Sequence, residues 1–343
     1  MAFWWAAWEE SLCRERGRMR RGLRRLAGAM ADLALRGREK AYVVSALPTR
    51  FAPLFITGLP RVGSTLVYQA FVRRFAAAYV CNAAAATPRA PALVTRLLSR
   101  ALVIVPPDGY RNRYGDTAGW SGPSQGREIW GRWFPVNQTY VAAGGCSDPA
   151  MREMQGTVSR IEEAFLAPFV NKSQGHAVRI LPLCEAFPRA VFVRVSRDVV
   201  DVAESLLVGR RECLGDERAW FSAKPSNYAS LRGLEPIDQV VGQIRGLDAD
   251  MARDFLQVGQ DRVIDVDYTC FCQAPRDTLD RVARRYEHIS GHALRISNDV
   301  PDEFKPASRR VLAPSESLLL RRRLDELPAD PSPMPQANSR RRP

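Results

Sequence analysis

The run Leu54-Phe55-Ile56-Thr57, introduced by Pro53 and followed at once by Gly58-Leu59-Pro60-Arg61-Val62-Gly63-Ser64-Thr65, constrains this chain more than any other feature. A short apolar run bounded by Pro and Gly reads as a buried strand. Residues 65–75 then carry helical spacing. A second unit of the same kind lies downstream: a β-branched and aromatic run over 190–195, the turn Ser196-Arg197-Asp198, and a helical apolar face over 199–208. A third strand is predicted over 263–266, followed by a helix over 276–286. Strands alternating with helices predict an α/β chain with a parallel sheet flanked by helices on both faces.

Around that frame the chain divides into three parts. Residues 1–50 are expected to form a basic helical segment. The stretch from Arg14 to Arg25 is strongly cationic, while Leu23, Leu26, Met30, Leu33 and Leu35 supply a partial apolar stripe. This segment either caps the domain as a solvated helix or meets anionic lipid or a partner. Residues 51–327 make a single α/β domain. Residues 328–343 are Pro-rich and polar and are expected to be a disordered tail. With 46% hydrophobic residues in 343, the chain can bury a real core.

The net charge of +13 suits an anionic ligand, nucleic acid or an acidic membrane surface without choosing among them. No nucleic-acid recognition motif accompanies it. Seven scattered cysteines lack any CxxC pair, so neither a disulfide framework nor a zinc site is expected. Only Cys270 and Cys272 are close, and in a strand they would share one face. A reducing, cytoplasmic setting is the simplest expectation. No apolar run approaches the roughly 18 residues of a spanning helix, and residues 1–8 lack the form of a signal peptide.

Gly58 and Gly63 have the GxxxxG spacing of a phosphate-binding loop. Such a loop wraps an anion with backbone N–H groups and aims a helix N-terminus at it. Thr65 stands where a nucleotidase places its magnesium-binding hydroxyl. The usual Lys after the second glycine is Ser64, and the loop's cation is Arg61. A nucleoside triphosphatase or nucleotide kinase would thereby lose its main phosphate contact. Arg61 instead offers a planar fork for two oxygens of a smaller anion. A plain glycine turn between strand and helix has the same spacing.

Pro60-Arg61-Val62-Gly63-Ser64-Thr65 resembles the 5′-phosphosulfate loop of sulfotransferases, written PxxGTT or PRSGTT. The resemblance implies a single P-loop-type sulfotransferase domain that uses 3′-phosphoadenosine 5′-phosphosulfate as co-substrate and needs no metal. It places Arg61, Val62, Gly63, Ser64, Thr65 and Leu66 around the anionic donor. The stretch from Phe192 to Ser205 resembles the family's 3′-phosphate element, implying that role for Arg197 and Ser205. Asn171-Lys172-Ser173, followed by Arg179-Ile180-Leu181-Pro182-Leu183 and Phe187-Pro188, looks like the bacterial branch, which implies that Lys172 faces the bridging oxygen or the sulfuryl group. Residues 263–268 with Pro275 resemble a strand ending in Tyr-Glu-Asp, with Tyr268 matching and Thr269-Cys270 departing.

The acceptor hydroxyl also needs a proton acceptor. His176 lies four residues past Lys172, while the family's Lys-x-His position is Gln174 here. The bacterial branch suggests an acid after Gly122-Pro123, where this chain has Gln125 and then Glu128. Glu128 is the expected base, with His176 second. An ion pair with Arg127 or Arg132 would explain Glu128 equally well. The acceptor itself, a glycan, glycolipid or small alcohol, is not written in the sequence. Trp120, Trp130, Trp133, Phe134 and Tyr140 either line its pocket or pack the core.

Overall fold

A computed structural model describes residue 30 and residues 32–113, 115–306 and 312–326. The basic run from Arg14 to Arg25 and the tail 328–343 lie outside the described residues. In chain order the elements are α1 (residues 32–44), β1 (Leu54–Gly58), α2 (Ser64–Arg74), α3 (Asn82–Ala85), α4 (Pro91–Ala101), β2 (Asn112–Arg113), β3 (Asp116–Thr117), α5 (Arg127–Trp130) and α6 (Asp148–Phe165). There follow β4 (Val170–Lys172), α7 (Ile180–Ala186), β5 (Val191–Ser196), α8 (Val199–Leu214), α9 (Tyr228–Leu231), α10 (Pro236–Val258), β6 (Val263–Asp267), α11 (Tyr268–Gln273), α12 (Pro275–Ser290) and α13 (Pro314–Glu326).

Four strands form one parallel sheet in the order β4-β1-β5-β6. Leu54, Phe55, Ile56, Val191 and Phe192 are fully buried, as befits central strands covered on both faces. Each large apolar side chain buried there contributes roughly 1.5–3 kcal/mol. The register pairs Gly58 with Val195 and Ile56 with Lys172, so the strand ends are nearly level. The chain leaving β1 travels to β4 on one side, and the chain leaving β5 travels to β6 on the other. A crevice therefore opens between β1 and β5, the position at which α/β sheets bind ligands.

The parallel sheet and its three expected strands are present. β4 and the longest described helix, α10, were not expected. β4 is only three residues long, and Val170-Asn171-Lys172 has too little apolar period to declare itself. Cys270 and Cys272 lie on α11, not on a strand: the carboxylate of Asp267 caps the Cys270 N–H at 2.8 Å and starts a helix there. The irregular segment 106–126 contains the small β2–β3 hairpin.

Candidate active site

The loop between β1 and α2 is shaped by its backbone. Gly58, Arg61 and Gly63 all have positive φ, at 147°, 71° and 87°. At Gly63 an added Cβ would lie 2.1 Å from the Tyr268 ring, so glycine is required for space as well as conformation. No side chain caps the N-terminus of α2. Its first N–H groups are thus directed into the loop, where an anion would complete them. Leu66 N–H is already engaged, donating to the Gly63 carbonyl at 2.9 Å. The Val62 side chain is in the core, which leaves only its backbone to face a ligand.

Cations reach this loop from three strand ends. Arg61 Nε donates to Ser205 Oγ at 3.0 Å, joining the loop after β1 to the helix after β5. Arg197, at the end of β5, lies with its guanidinium 5.2 Å from the Tyr268 ring centroid and donates to Asp201 at 3.1 Å. Tyr268, at the end of β6, is buried between Arg197 and Gly63. Lys172, at the end of β4, donates from Nζ to Thr65 Oγ1 at 3.0 Å and to Gln125 Oε1 at 3.3 Å. Arg61, Thr65, Lys172, Arg197, Ser205 and Tyr268 are thereby brought to one end of the sheet.

Lys172 is only 2% exposed. Burial, reinforced by Arg61 and Arg127, lowers its ammonium to about 7, with Asp116 opposing. A lysine ammonium thus stands beside Thr65, reaching it from the neighbouring strand and not from inside the loop. Gln125 is held in place by its neighbours: Ser124 O accepts from Asn171 Nδ2 at 3.3 Å, and Ser124 N–H donates to Val80 O at 2.7 Å. Gly115 abuts the Gln125 amide so closely that a Cβ there would lie 2.1 Å from Nε2. This contact docks the β2–β3 hairpin, with the exposed carboxylate of Asp116, onto the Lys172 side of the site.

The two base candidates occupy different environments. Glu128 is exposed on the short helix α5, three residues beyond Gln125. Neither expected ion pair of Glu128 forms, because Arg132 pairs with Glu153 and Arg127 makes no ion pair with a described residue. His176 is fully buried. Its Nε2 meets Asn171 Oδ1 at 2.8 Å, and Arg179 Nε approaches Nδ1 at 3.3 Å. Arg179 can only donate, so Nδ1 accepts and Nε2 carries the proton. Burial, then Arg179 and Lys172, push His176 well below the usual imidazole value and keep it neutral. Trp130 donates from its indole to the same Asn171 oxygen at 2.9 Å and stacks edge-on against His176. Of the aromatic group, Trp130, Trp133 and Phe134 pack the core behind Lys172, whereas Trp120 is 45% exposed.

Gln125 and Asp116 bear on Lys172, and Asn171 bonds Ser124 beside Gln125, without having been singled out in sequence for these contacts. Their signals are weak in sequence: a Gln after Gly122-Pro123, an Asn inside a three-residue strand, and an Asp in an irregular segment. Among the described residues, no group of three or more His, Cys, Asp or Glu could hold a metal ion.

A profile of the sulfotransferase family matches residues 53–288. Among solved structures, the sulfotransferase STF1 from Mycobacterium tuberculosis H37Rv is similar over 88% of this chain and 84% of its own, at 12% identity and a TM-score of 0.53. The sulfotransferase STF9 from Mycobacterium avium is similar over 85% and 72%, at 16% identity and a TM-score of 0.48. No curated protein matches significantly by sequence. The family match spans both strand–turn–helix units and every residue gathered above at the strand ends, and this chain belongs to the sulfotransferase family.

Proposed function

We propose that the chain moves a sulfuryl group from 3′-phosphoadenosine 5′-phosphosulfate to a hydroxyl of a glycan, glycolipid or small alcohol. The observation that carries this reading is the buried Lys172 ammonium on Thr65 Oγ1, beside a loop whose own cation is Arg61. The residues fit such a donor. An uncapped helix N-terminus and Arg61 suit the 5′-phosphosulfate, while Arg197 and Ser205 suit a second phosphate one strand away.

The donor supplies an activated sulfuryl group. The S–O bond to the 5′-phosphate breaks as a new S–O bond to the acceptor forms, and negative charge grows on the departing oxygen. Lys172 and Arg61 balance that charge, and the burial of Lys172 strengthens the effect. The acceptor proton passes to a carboxylate, for which Glu128 is exposed and has no ion-pair partner among the described residues. His176, neutral and hydrogen-bonded through both ring nitrogens in the core, serves instead to hold Asn171 beside Lys172.

Calorimetric titration tests the donor assignment. Adenosine 3′,5′-bisphosphate should bind at least tenfold more tightly than ATP or a short oligonucleotide. A preference for ATP would point to a phosphotransferase, and a preference for the oligonucleotide to a nucleic-acid-binding protein.

A further inference from the structure

A second concave surface lies at the opposite end of the sheet. It is a cleft of about 1320 Å³ bounded by α1, the start of α6, and the segments entering β1 and β5, including Pro53 and Arg189. Pro53 precedes β1 and Gly58 ends it, so roughly 17 Å of strand separates the cleft from the anion loop. It is therefore distinct from the transfer site.

The helix α1 has two faces. Asp32, Glu39 and Val43 are buried against the domain, with Glu39 accepting the Ala92 and Leu93 N–H groups that start α4. The neighbouring face lines the cleft and carries Leu33, Arg36, Lys40, Val44 and, just beyond the helix, Leu47. Leu33, Val44 and Leu47 are 69%, 79% and 73% exposed. Apolar side chains so exposed, in one row and interleaved with cations, suit an interface that is greasy and anionic together.

The charge of the lining is one-sided. The lining holds Arg36, Lys40, Arg89, Arg132, Arg152 and Arg189 against the acids Glu39 and Glu153, and Arg89 pairs with Asp32 behind it. Both acids are already committed, Glu39 to the α4 N-terminus and Glu153 to Arg132. Arg36, Lys40 and Arg152 form no ion pair with a described residue.

We infer that this cleft and the outer face of α1 dock the protein on an anionic membrane surface, with an acidic phospholipid headgroup among Arg36, Lys40 and Arg152 and Leu33, Val44 and Leu47 entering the headgroup layer. Each Lys or Arg near such a surface is worth roughly fivefold in affinity, so the three cations together give about 100-fold. Among the described residues no helix is long and apolar enough to cross a membrane, so the contact is one of lying on the surface. It is independent of the donor chemistry proposed above.

Vesicle co-sedimentation of the full chain tests this inference, with phosphatidylcholine vesicles compared to vesicles containing phosphatidylglycerol. Binding should need the anionic lipid, weaken with salt, and fall about 100-fold when Arg36, Lys40 and Arg152 are all replaced by Ala. Replacing Leu33, Val44 and Leu47 by Ser should weaken it by at least tenfold. Both variants alter exposed residues, and both should keep the wild-type thermal unfolding midpoint, which checks that they fold. Absence of vesicle binding by the wild type overturns the inference. So does undiminished binding by the Ala variant, which would assign the contact to the Arg14–Arg25 run. Heparin binding that depends on the three cations, with vesicle binding indifferent to the apolar trio, would make the cleft a polyanion site and overturn it as well.

Discussion

Arg61 Nε donates to Ser205 Oγ at 3.0 Å, so the anion loop after β1 is tied to the helix after β5 across the crevice between two paired strands. The contact comes with an unusual backbone. Arg61 is held at φ 71°, in the left-handed region that non-glycine residues seldom occupy. Such conformations cost about 1–3 kcal/mol and persist where the surroundings enforce them, most often at functional sites. Here the strained residue is the loop's own cation, which reaches across to Ser205 on α8.

This strain separates the stability role of Arg61 from its chemical role. Arg61→Gly should be more stable than Arg61→Ala by about 1 kcal/mol, because both lose the side chain and only glycine adopts positive φ freely. Turnover should nonetheless fall by two or more orders of magnitude, as it should in Arg61→Ala. Thermal unfolding and initial-rate assays on both variants check this. Full turnover in either one would remove the loop's cation from the mechanism.

Ser205 and Arg197 are expected to read the 3′-phosphate. Ser205→Ala and Arg197→Ala should each weaken adenosine 3′,5′-bisphosphate far more than 5′-AMP. Hydrogen bonds to a charged group are worth roughly 1.5–3 kcal/mol, or about 10- to 100-fold. Arg197 also pairs with Asp201, so its loss removes an ion pair as well as a contact to the ligand. Ser205→Ala in turn removes the oxygen that accepts from Arg61, so the two variants are read together. Equal weakening of both nucleotides would mean that these residues only support the fold.

How far the sequence could be read depends on how each signal is encoded. The loop from Gly58 to Thr65 was legible because its constraints are local: glycines at fixed spacing, between an apolar run and a helical period. The pairing of Arg61 with Ser205 lay 144 residues apart and followed only from strand order. Lys172 was found by resemblance, since β4 is three residues long and has no period of its own. The interior role of His176 could not be read because Trp130, Asn171 and Arg179 enclose it only once α5, β4 and α7 are packed. Composition implied a basic surface somewhere, and only the fold separates the cations of the loop from those of the α1 cleft.

Glu128 on α5 is the expected acceptor of the proton, and Asp116 on the β2–β3 hairpin is a second carboxylate on the Lys172 side of the site. Glu128→Gln keeps the shape and removes the base. Transfer should drop by roughly 10²–10⁴, donor binding should survive, and the acidic limb of the pH–rate profile should vanish. His176→Asn should instead lower thermal stability, because it breaks the buried hydrogen bonds to Asn171 and Arg179. Transfer that persists in Glu128→Gln and is lost in Asp116→Asn would move the base to the hairpin.

Lys172 links the chemistry to the pH dependence of folding. Its folded value is lowered to about 7, chiefly by burial, against roughly 10.4 for an exposed lysine. Between those values the unfolded chain binds more protons than the folded one, so this residue makes the protein more stable as pH rises. At and below pH 7 the folded protein carries the full cost of charging a buried amine, and above about pH 10.4 that cost is gone. Lys172→Met, with similar volume and no charge, should therefore gain stability over the wild type at pH 6. That gain should shrink by more than about 1 kcal/mol by pH 9. Urea unfolding of both proteins across this range measures it. Transfer by the variant should be lost at every pH, because no ammonium then faces the departing oxygen. A stability difference that does not change with pH would show that Lys172 titrates like an exposed lysine, and its burial would then not tune its charge.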